Sequence, residues 1–241
     1  MGERPAFYAL QPGGWRDYVT LLHPPYTAWH LSYVAIGAAA APLLNGARLG
    51  ASVAAFFFAV GLAAHALDEL NGRPLRTRIS DRALRVIAGS SLVLAVALGA
   101  AGALSVTPWL FAFVGFGVFI VLAYNLEMFG GLFHSDLWFA VSWGAFPALT
   151  GYFAQAETIR WPVLIVAFAC LLLSLAQRRL STPVRRLRRS VTSLEGRMRL
   201  ADGTEVAVTD SMLREAPEAA LRVLALALSA LAGGLVAARL T

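Results

Sequence analysis

Three ionisable side chains stand within about one helical turn of each other near the end of an apolar stretch. His65, Asp68 and Glu69 have the i, i+3 and i+4 spacing that places residues on one face of a helix. An imidazole and two carboxylates on one face form a ligand set for a divalent metal. We therefore predict a metal site at Asp68, Glu69 and His65.

Arginines follow this segment directly. They are Arg73, Arg76 and Arg78. Guanidinium groups bind phosphate oxygens through parallel hydrogen bonds, so these residues predict a phosphorylated ligand. A structural alternative stays open, in which the two acids pair with the first two arginines to end the helix and His65 is a hydrogen-bonded core residue.

A second polar cluster lies between the fourth and fifth apolar stretches. It contains Tyr124, Asn125, Glu127, His134 and Asp136. Ionisable groups close to a membrane are costly unless they line an interior cavity, so the cluster indicates a site. The alternative is ordinary helix capping by the two acids and the histidine. Both clusters fall on the same predicted membrane face, which favours a joint site.

The composition is that of a membrane protein. Hydrophobic residues make up 58% of the 241 residues and charged residues 14%, where soluble domains have about 25% charged residues. A bilayer core takes about 20 mostly apolar residues per helix. The sequence predicts about seven spans, at roughly 27–45, 51–70, 83–105, 108–126, 136–155, 161–177 and 217–238. We expect an all-α, polytopic membrane helical bundle.

The positive charge predicts the orientation of the bundle. All 20 basic residues are arginine, and they concentrate after the second and sixth spans. Arginine-rich loops stay on the cytoplasmic side, so the N-terminus and both of these loops are predicted to be cytoplasmic. The expected location is the plasma membrane of a prokaryote. Charge confined to two short segments also disfavours nucleic acid as a partner.

The polar segment before the seventh span interrupts the helical pattern. Residues 196–208 alternate around Asp202-Gly203, which predicts a short cytoplasmic β-hairpin. It is either an appendage or a lid over a site. The chain is expected to divide into an interfacial lead-in (1–26), a six-helix core (27–177), an arginine-rich segment with the hairpin (178–216) and a seventh helix (217–241).

Residues 68–80 and 124–155 carry a resemblance to a known family. The first stretch begins Asp-Glu-Leu-Asn-Gly-Arg-Pro-Leu and resembles the first signature of the UbiA superfamily of intramembrane prenyltransferases. In that family an Asn-Asp-x-x-Asp run at the end of the second helix is followed closely by Arg-Pro-Leu. The second stretch is similar to the menaquinone-type branch, which has an acidic residue before the fifth helix and a Gly-x-x-Pro-x-x-Gly-like pattern within it.

The resemblance transfers roles to particular residues. Asp68 falls on the second family aspartate and Asp136 on the acidic position, which implies that both are catalytic. Pro147 and Tyr152 fall on the helix pattern. The family's first aspartate is His65 here, and the place of its second Asp-rich motif, 177–189, contains no carboxylate.

The implied activity is a UbiA-like transfer of a prenyl group from a polyprenyl diphosphate to an aromatic or other lipid-soluble acceptor. Magnesium is the implied cofactor, and membrane lipid and polyprenyl diphosphate are the implied partners. The substrate-binding residues would be Arg73, Arg76, Arg78, Tyr124, Asn125, His134 and Tyr152, with the arginines of 185–189 as further clamps. Two alternatives stay open: a catalytically silent isoprenoid-binding subunit with a partner protein, and an unrelated small transporter.

Overall fold

The structure is a computed structural model that describes residues 4–241, so the first three residues of the predicted lead-in lie outside it. The described residues form mainly helices. These are α1 (Trp15–Leu21), α2 (Pro24–Ala39), α3 (Gly46–Leu70), α4 (Asp81–Ser105), α5 (Leu110–Asn125), α6 (136–156), α7 (Trp161–Arg189) and α8 (Asp210–Leu240).

Four helices of the described chain are long and apolar enough to cross a membrane. They are α3, α4, α7 and α8, each of 25 to 31 residues. A membrane protein is therefore supported, but the expected seven spans are not confirmed. The helices at two of the predicted spans, α2 and α5, have 16 residues each, because prolines and turns restrict their length. The remaining predicted span, at α6, is also not among the four.

The predicted hairpin is confirmed. Strand β1 (Arg197–Arg199) pairs antiparallel with β2 (Glu205–Ala207), and Met198 lies opposite Val206. Gly203 has a φ of 86°, a left-handed conformation that glycine adopts without strain. The side chain of Asp202 accepts a hydrogen bond from the Thr204 N–H, which holds the turn.

Helix α2 lies at the centre of the bundle, packed against α6 and α8. Its Trp29 and Tyr33 are completely buried. The core around them is completed by Ile36, Ala148, Ala167, Cys170, Leu221, Ala225, Leu228 and Ala232, which come from α2, α6, α7 and α8. This packing fixes the position of α2 relative to the three helices around it.

Glycines allow α2 and α6 to cross at backbone contact. A Cβ atom on Gly37 would overlap the carbonyl group of Ala148, and one on Gly151 would overlap the carbonyl group of Val34. The backbones of α2 and α6 therefore pack in direct contact at this crossing. Small residues at helix crossings permit this approach in membrane proteins.

Two π-helical segments interrupt the long helices. One is Phe57–Ala64 in α3 and the other is Val141–Ala145 in α6. Such segments shift the register of a helix and often mark functional sites. Both lie beside the cavity described below.

The close crossing of α2 and α6 predicts that a methyl group added at Gly37 destabilises the protein. Gly37→Ala places a Cβ against the Ala148 backbone and should lower the free energy of unfolding by about 1–3 kcal/mol, as overpacking does. Thermal unfolding in detergent measures this. Gly89→Ala on α4 is the matched control, because its new Cβ meets open space. Equal stability of the two variants would contradict the close crossing.

Candidate functional site

A polar cavity of about 250 Å³ lies between α2, α3, α5, α6 and α7. All four histidines of the chain line it: His23, His30, His65 and His134. Asp68 is the only carboxylate among the lining residues of the described chain. A gathering of this kind inside an apolar bundle is costly, so it indicates a binding or catalytic site.

Three arginines from α7 give the cavity a positive charge. Arg178, Arg185 and Arg189 line it, and they recur along one face of the helix. Arg188 does not line the cavity and instead makes a bidentate ion pair with Glu218 of α8, at 2.5 and 2.9 Å. One face of α7 therefore carries the cavity arginines, and another carries an arginine that binds α8.

The four histidine rings share one hydrogen-bonding pattern. In each, Nδ1 lies against a backbone carbonyl oxygen: His23 on Leu21 (2.8 Å), His30 on Trp143 (2.8 Å), His65 on Gly61 (3.1 Å) and His134 on Tyr124 (3.0 Å). A carbonyl oxygen only accepts, so Nδ1 carries the proton. In the neutral ring, Nε2 therefore keeps a lone pair and accepts hydrogen bonds.

His23, the residue that precedes α2, lies in the cavity wall and has a strongly lowered pKa. Its pKa is lowered from 6.5 to about 3, chiefly by burial and also by the positive charges of Arg189 and Arg185, while the hydrogen bond to Leu21 acts in the opposite direction. This ring is neutral at physiological pH. Its ring packs against the ring of His65, with the centroids 3.9 Å apart and the two planes tilted by 32°.

An apolar groove of about 320 Å³ adjoins the polar cavity. It lies between α3, α4, α5 and α6 and is lined almost entirely by alanine, valine, leucine, glycine and phenylalanine. Val60 and Trp143 line both the groove and the cavity, and each belongs to one of the π-helical segments. From Ala47 to Val60 the groove follows α3 for about 20 Å.

No family model, curated protein or solved structure matches this chain. The UbiA resemblance therefore stays a prediction. What the site can do is inferred from its own residues.

The cavity brings together seven of the residues singled out in the sequence. They are His65, Asp68, Tyr124, Asn125 and His134, with Arg185 and Arg189 of the arginine cluster at 185–189. The ring of His134 stacks on Tyr124 at 4.5 Å, which joins the second polar cluster to the first across the cavity. The two clusters thus share one site, and the roles assigned to individual residues stay predictions.

Glu69 lies outside the cavity and is completely buried. Its carboxylate accepts hydrogen bonds from the N–H of Leu75 (2.9 Å) and from the N–H and hydroxyl of Thr77 (2.8 and 2.9 Å). Both oxygens are therefore used in holding the loop after α3.

The loop arginines also have structural partners. Arg73 pairs with Asp81 and donates to the Ile79 carbonyl, and Arg76 donates to the Arg189 carbonyl. The backbone N–H of Arg78 donates to Asp17. None of the three lines the cavity. The side chains of Arg73 and Arg76 do not pair with the carboxylates of Asp68 or Glu69, which the helix-ending alternative required.

Asp136 and Tyr152 have other surroundings. Asp136 pairs with Arg178 at 2.9 Å, beside the cavity, and about half of its side chain is exposed. Tyr152 packs with Ala41 and Val163 and lines neither the cavity nor the groove.

The predicted metal set does not fit a magnesium ion as it stands. Magnesium takes oxygen ligands in octahedral geometry, and Glu69 has no free oxygen to offer. No group of three acids, histidines or cysteines within residues 4–241 is arranged to hold a metal. Asp68 is left as the one carboxylate in the wall of the described cavity.

Several residues that line the cavity were not expected from the sequence. Tyr8, His23, Tyr26 and His30 belong to the lead-in and to α2, where single polar residues are ordinary. On α7, Gln177 and Ser181 were also not expected, although they share a helix face with Arg185 at every fourth residue, a polar stripe that helical periodicity reveals.

Glu69 provides the first test of the site. Glu69→Ala leaves two backbone N–H groups unpaired and should lower the free energy of unfolding by about 1–3 kcal/mol for each. Thermal unfolding measures the loss, and Glu195→Ala at an exposed position is the control. An unchanged unfolding temperature combined with lost magnesium binding would restore the metal role.

Proposed function

We propose that this membrane protein binds a polyprenyl diphosphate and transfers its prenyl group to a lipid-soluble acceptor. One observation carries the proposal: a cationic cavity and an apolar groove meet at Val60 and Trp143. A polyprenyl diphosphate has the same division, because a charged headgroup is joined to a long apolar chain. The UbiA resemblance is consistent with this substrate.

The headgroup is assigned to the arginines of α7. Arg178, Arg185 and Arg189 supply fixed N–H donors, and guanidinium–phosphate hydrogen bonds are strengthened by charge. Asp136 orients Arg178 through their ion pair. The loop arginines act indirectly, since Arg76 is bonded to the backbone of Arg189.

The prenyl chain is assigned to the groove. Burying its apolar surface stabilises the complex by about 25 cal/mol per Å². With the headgroup in the polar cavity and the chain in the apolar groove, the reactive C1 carbon of the substrate lies where the cavity meets the groove, beside Trp143. The side chain of Trp143 is 5% exposed, so water is largely excluded there.

The reaction begins with cleavage of the bond between C1 and the diphosphate oxygen. The electron pair leaves with the diphosphate, whose growing charge is stabilised by the three guanidinium groups. The remaining allylic cation lies near the aromatic rings of Trp143 and Tyr124, which stabilise positive charge through their faces. An acceptor then forms a bond to C1.

A carrier or subunit that holds the same lipid without transferring it is the second candidate. Asp68 is the only carboxylate lining the described cavity, and guanidinium groups bind a diphosphate without any metal. In either case we place the protein in a prokaryotic plasma membrane with the cavity on the cytoplasmic side, as the arginine distribution predicts.

Headgroup recognition is tested on α7. Arg185→Gln removes a cavity cation and should weaken binding of geranylgeranyl diphosphate by about tenfold or more, since hydrogen bonds to charged groups contribute about 1.5–3 kcal/mol. Fluorescence titration or calorimetry in detergent measures the Kd. Arg186→Gln is the matched control, because Arg186 is exposed on the same helix and does not line the cavity. Equal Kd values for the two variants would refute the headgroup assignment.

A further inference from the structure

Two buried polar atoms in the wall of the polar cavity have no partner among residues 4–241. They are the hydroxyl of Tyr124 and the Oε1 of Gln177, on residues that are 5% and 2% exposed. Buried polar groups are almost always hydrogen-bonded, so these atoms indicate a ligand in the cavity. A ligand held there fixes the starting point of any chain that continues into the apolar groove, at Val60 and Trp143.

Alanines of α3 line the groove at a regular spacing. They are Ala47, Ala51, Ala55 and Ala59. Residues four apart lie on one face of a helix and about 6 Å apart along its axis. Because each of these side chains is a single methyl group, this face leaves space for an apolar chain along the whole groove.

The length of the groove corresponds to a short prenyl chain. An isoprene unit adds four carbon–carbon bonds of about 1.5 Å, which is about 5 Å of extended chain. The groove follows α3 for about 20 Å between Val60 and Ala47. About four isoprene units therefore fit between the cavity and the far end of the groove.

The far end of the groove is closed by polar bonds between α3 and α6. Arg48 and Ala154 both line the groove there, and the Arg48 guanidinium donates to the carbonyl groups of Ala154 and Gln155 at 3.3 Å. The same guanidinium pairs with Glu157 at 3.0 Å. The N–H of Asn45 donates to Gln155 Oε1 at 2.8 Å, which fastens the same two helices. A chain that continues past this point has to displace these bonds or place apolar carbons against charged groups, and both are costly.

On the basis of the proposed function, we propose that the groove selects prenyl diphosphates of about four isoprene units. The limit is the distance between the headgroup site on α7 and the polar closure at Arg48. Ala51 and Ala55 are the residues that leave space for the last two units. A fifth unit meets the closure.

Substitution of these alanines by phenylalanine should shorten the groove in steps. Side chains lean toward the N-terminus of their helix, which for α3 is the closed end of the groove. Ala51 lies about 14 Å from Val60 along the axis, so the ring of Ala51→Phe takes the space of the fourth unit. Ala55 lies about 8 Å from Val60, so the ring of Ala55→Phe takes the space of the third. Val93→Phe on α4 is the matched control, because Val93 is 68% exposed and does not line the groove.

The experiment is a competition between prenyl diphosphates for the purified protein in lipid nanodiscs. Radiolabelled geranyl diphosphate is the tracer, because its two units fit the shortened grooves as well. Farnesyl, geranylgeranyl and geranylfarnesyl diphosphates, with three, four and five units, displace it. All are compared at equal concentration per lipid, since long chains partition into the bilayer.

Wild-type protein and Val93→Phe should bind geranylgeranyl diphosphate about tenfold or more tightly than geranylfarnesyl diphosphate, because the fifth unit meets buried polar groups. Ala51→Phe should move the preference to the farnesyl compound, and Ala55→Phe to the geranyl compound. The Kd for the geranyl tracer should be unchanged in all variants, which shows that the headgroup site is intact.

The contrary results are distinguishable. Equal affinity of the wild type for four and five units overturns the length limit and leaves the proposed function standing, and this comparison needs no variant to fold. An unchanged order of preference in both alanine variants, with tracer binding retained, overturns the role of the alanine face. Wild-type protein that binds none of these diphosphates overturns the proposed function itself.

Discussion

The crossing of α2 and α6 is the contact on which the rest of the site depends. Gly37 and Gly151 let the two backbones touch, because neither position has space for a Cβ atom. This approach places His30 of α2 within hydrogen-bonding distance of the Trp143 carbonyl on α6. The same crossing therefore positions both the packing core and the point at which the polar cavity meets the apolar groove.

The second constraint is that several charged side chains near the cavity are bonded to other parts of the protein and do not line the cavity. Glu69 and Arg73 hold the loop after α3 and are removed from the cavity by their own hydrogen bonds. Arg188 is likewise committed to Glu218. The charges that line the cavity are the cations of α7, of which Arg178 also pairs with Asp136, and the single carboxylate of Asp68.

Much of the fold and part of the site were predictable from local sequence patterns. Apolar length and low charge predicted a helical membrane protein, and Asp202-Gly203 predicted the hairpin. The spacing of His65 and Asp68 correctly predicted that they lie on one helix face. Glu69 instead binds the backbone N–H groups of Leu75 and Thr77 in the loop, and residue spacing does not reveal these donors. The position of His30 in the cavity wall was not predictable, since a lone histidine in an apolar helix carries no local signal of what surrounds it.

The central claim is that one lipid occupies both compartments, with its headgroup on α7 and its chain in the groove. A structure of the protein with a non-reactive thiodiphosphate analogue of geranylgeranyl diphosphate tests this most directly. The account predicts diphosphate density within hydrogen-bonding distance of Arg178, Arg185 and Arg189, and C1 beside Val60 and Trp143. A headgroup bound elsewhere, or a chain outside the groove, would contradict it.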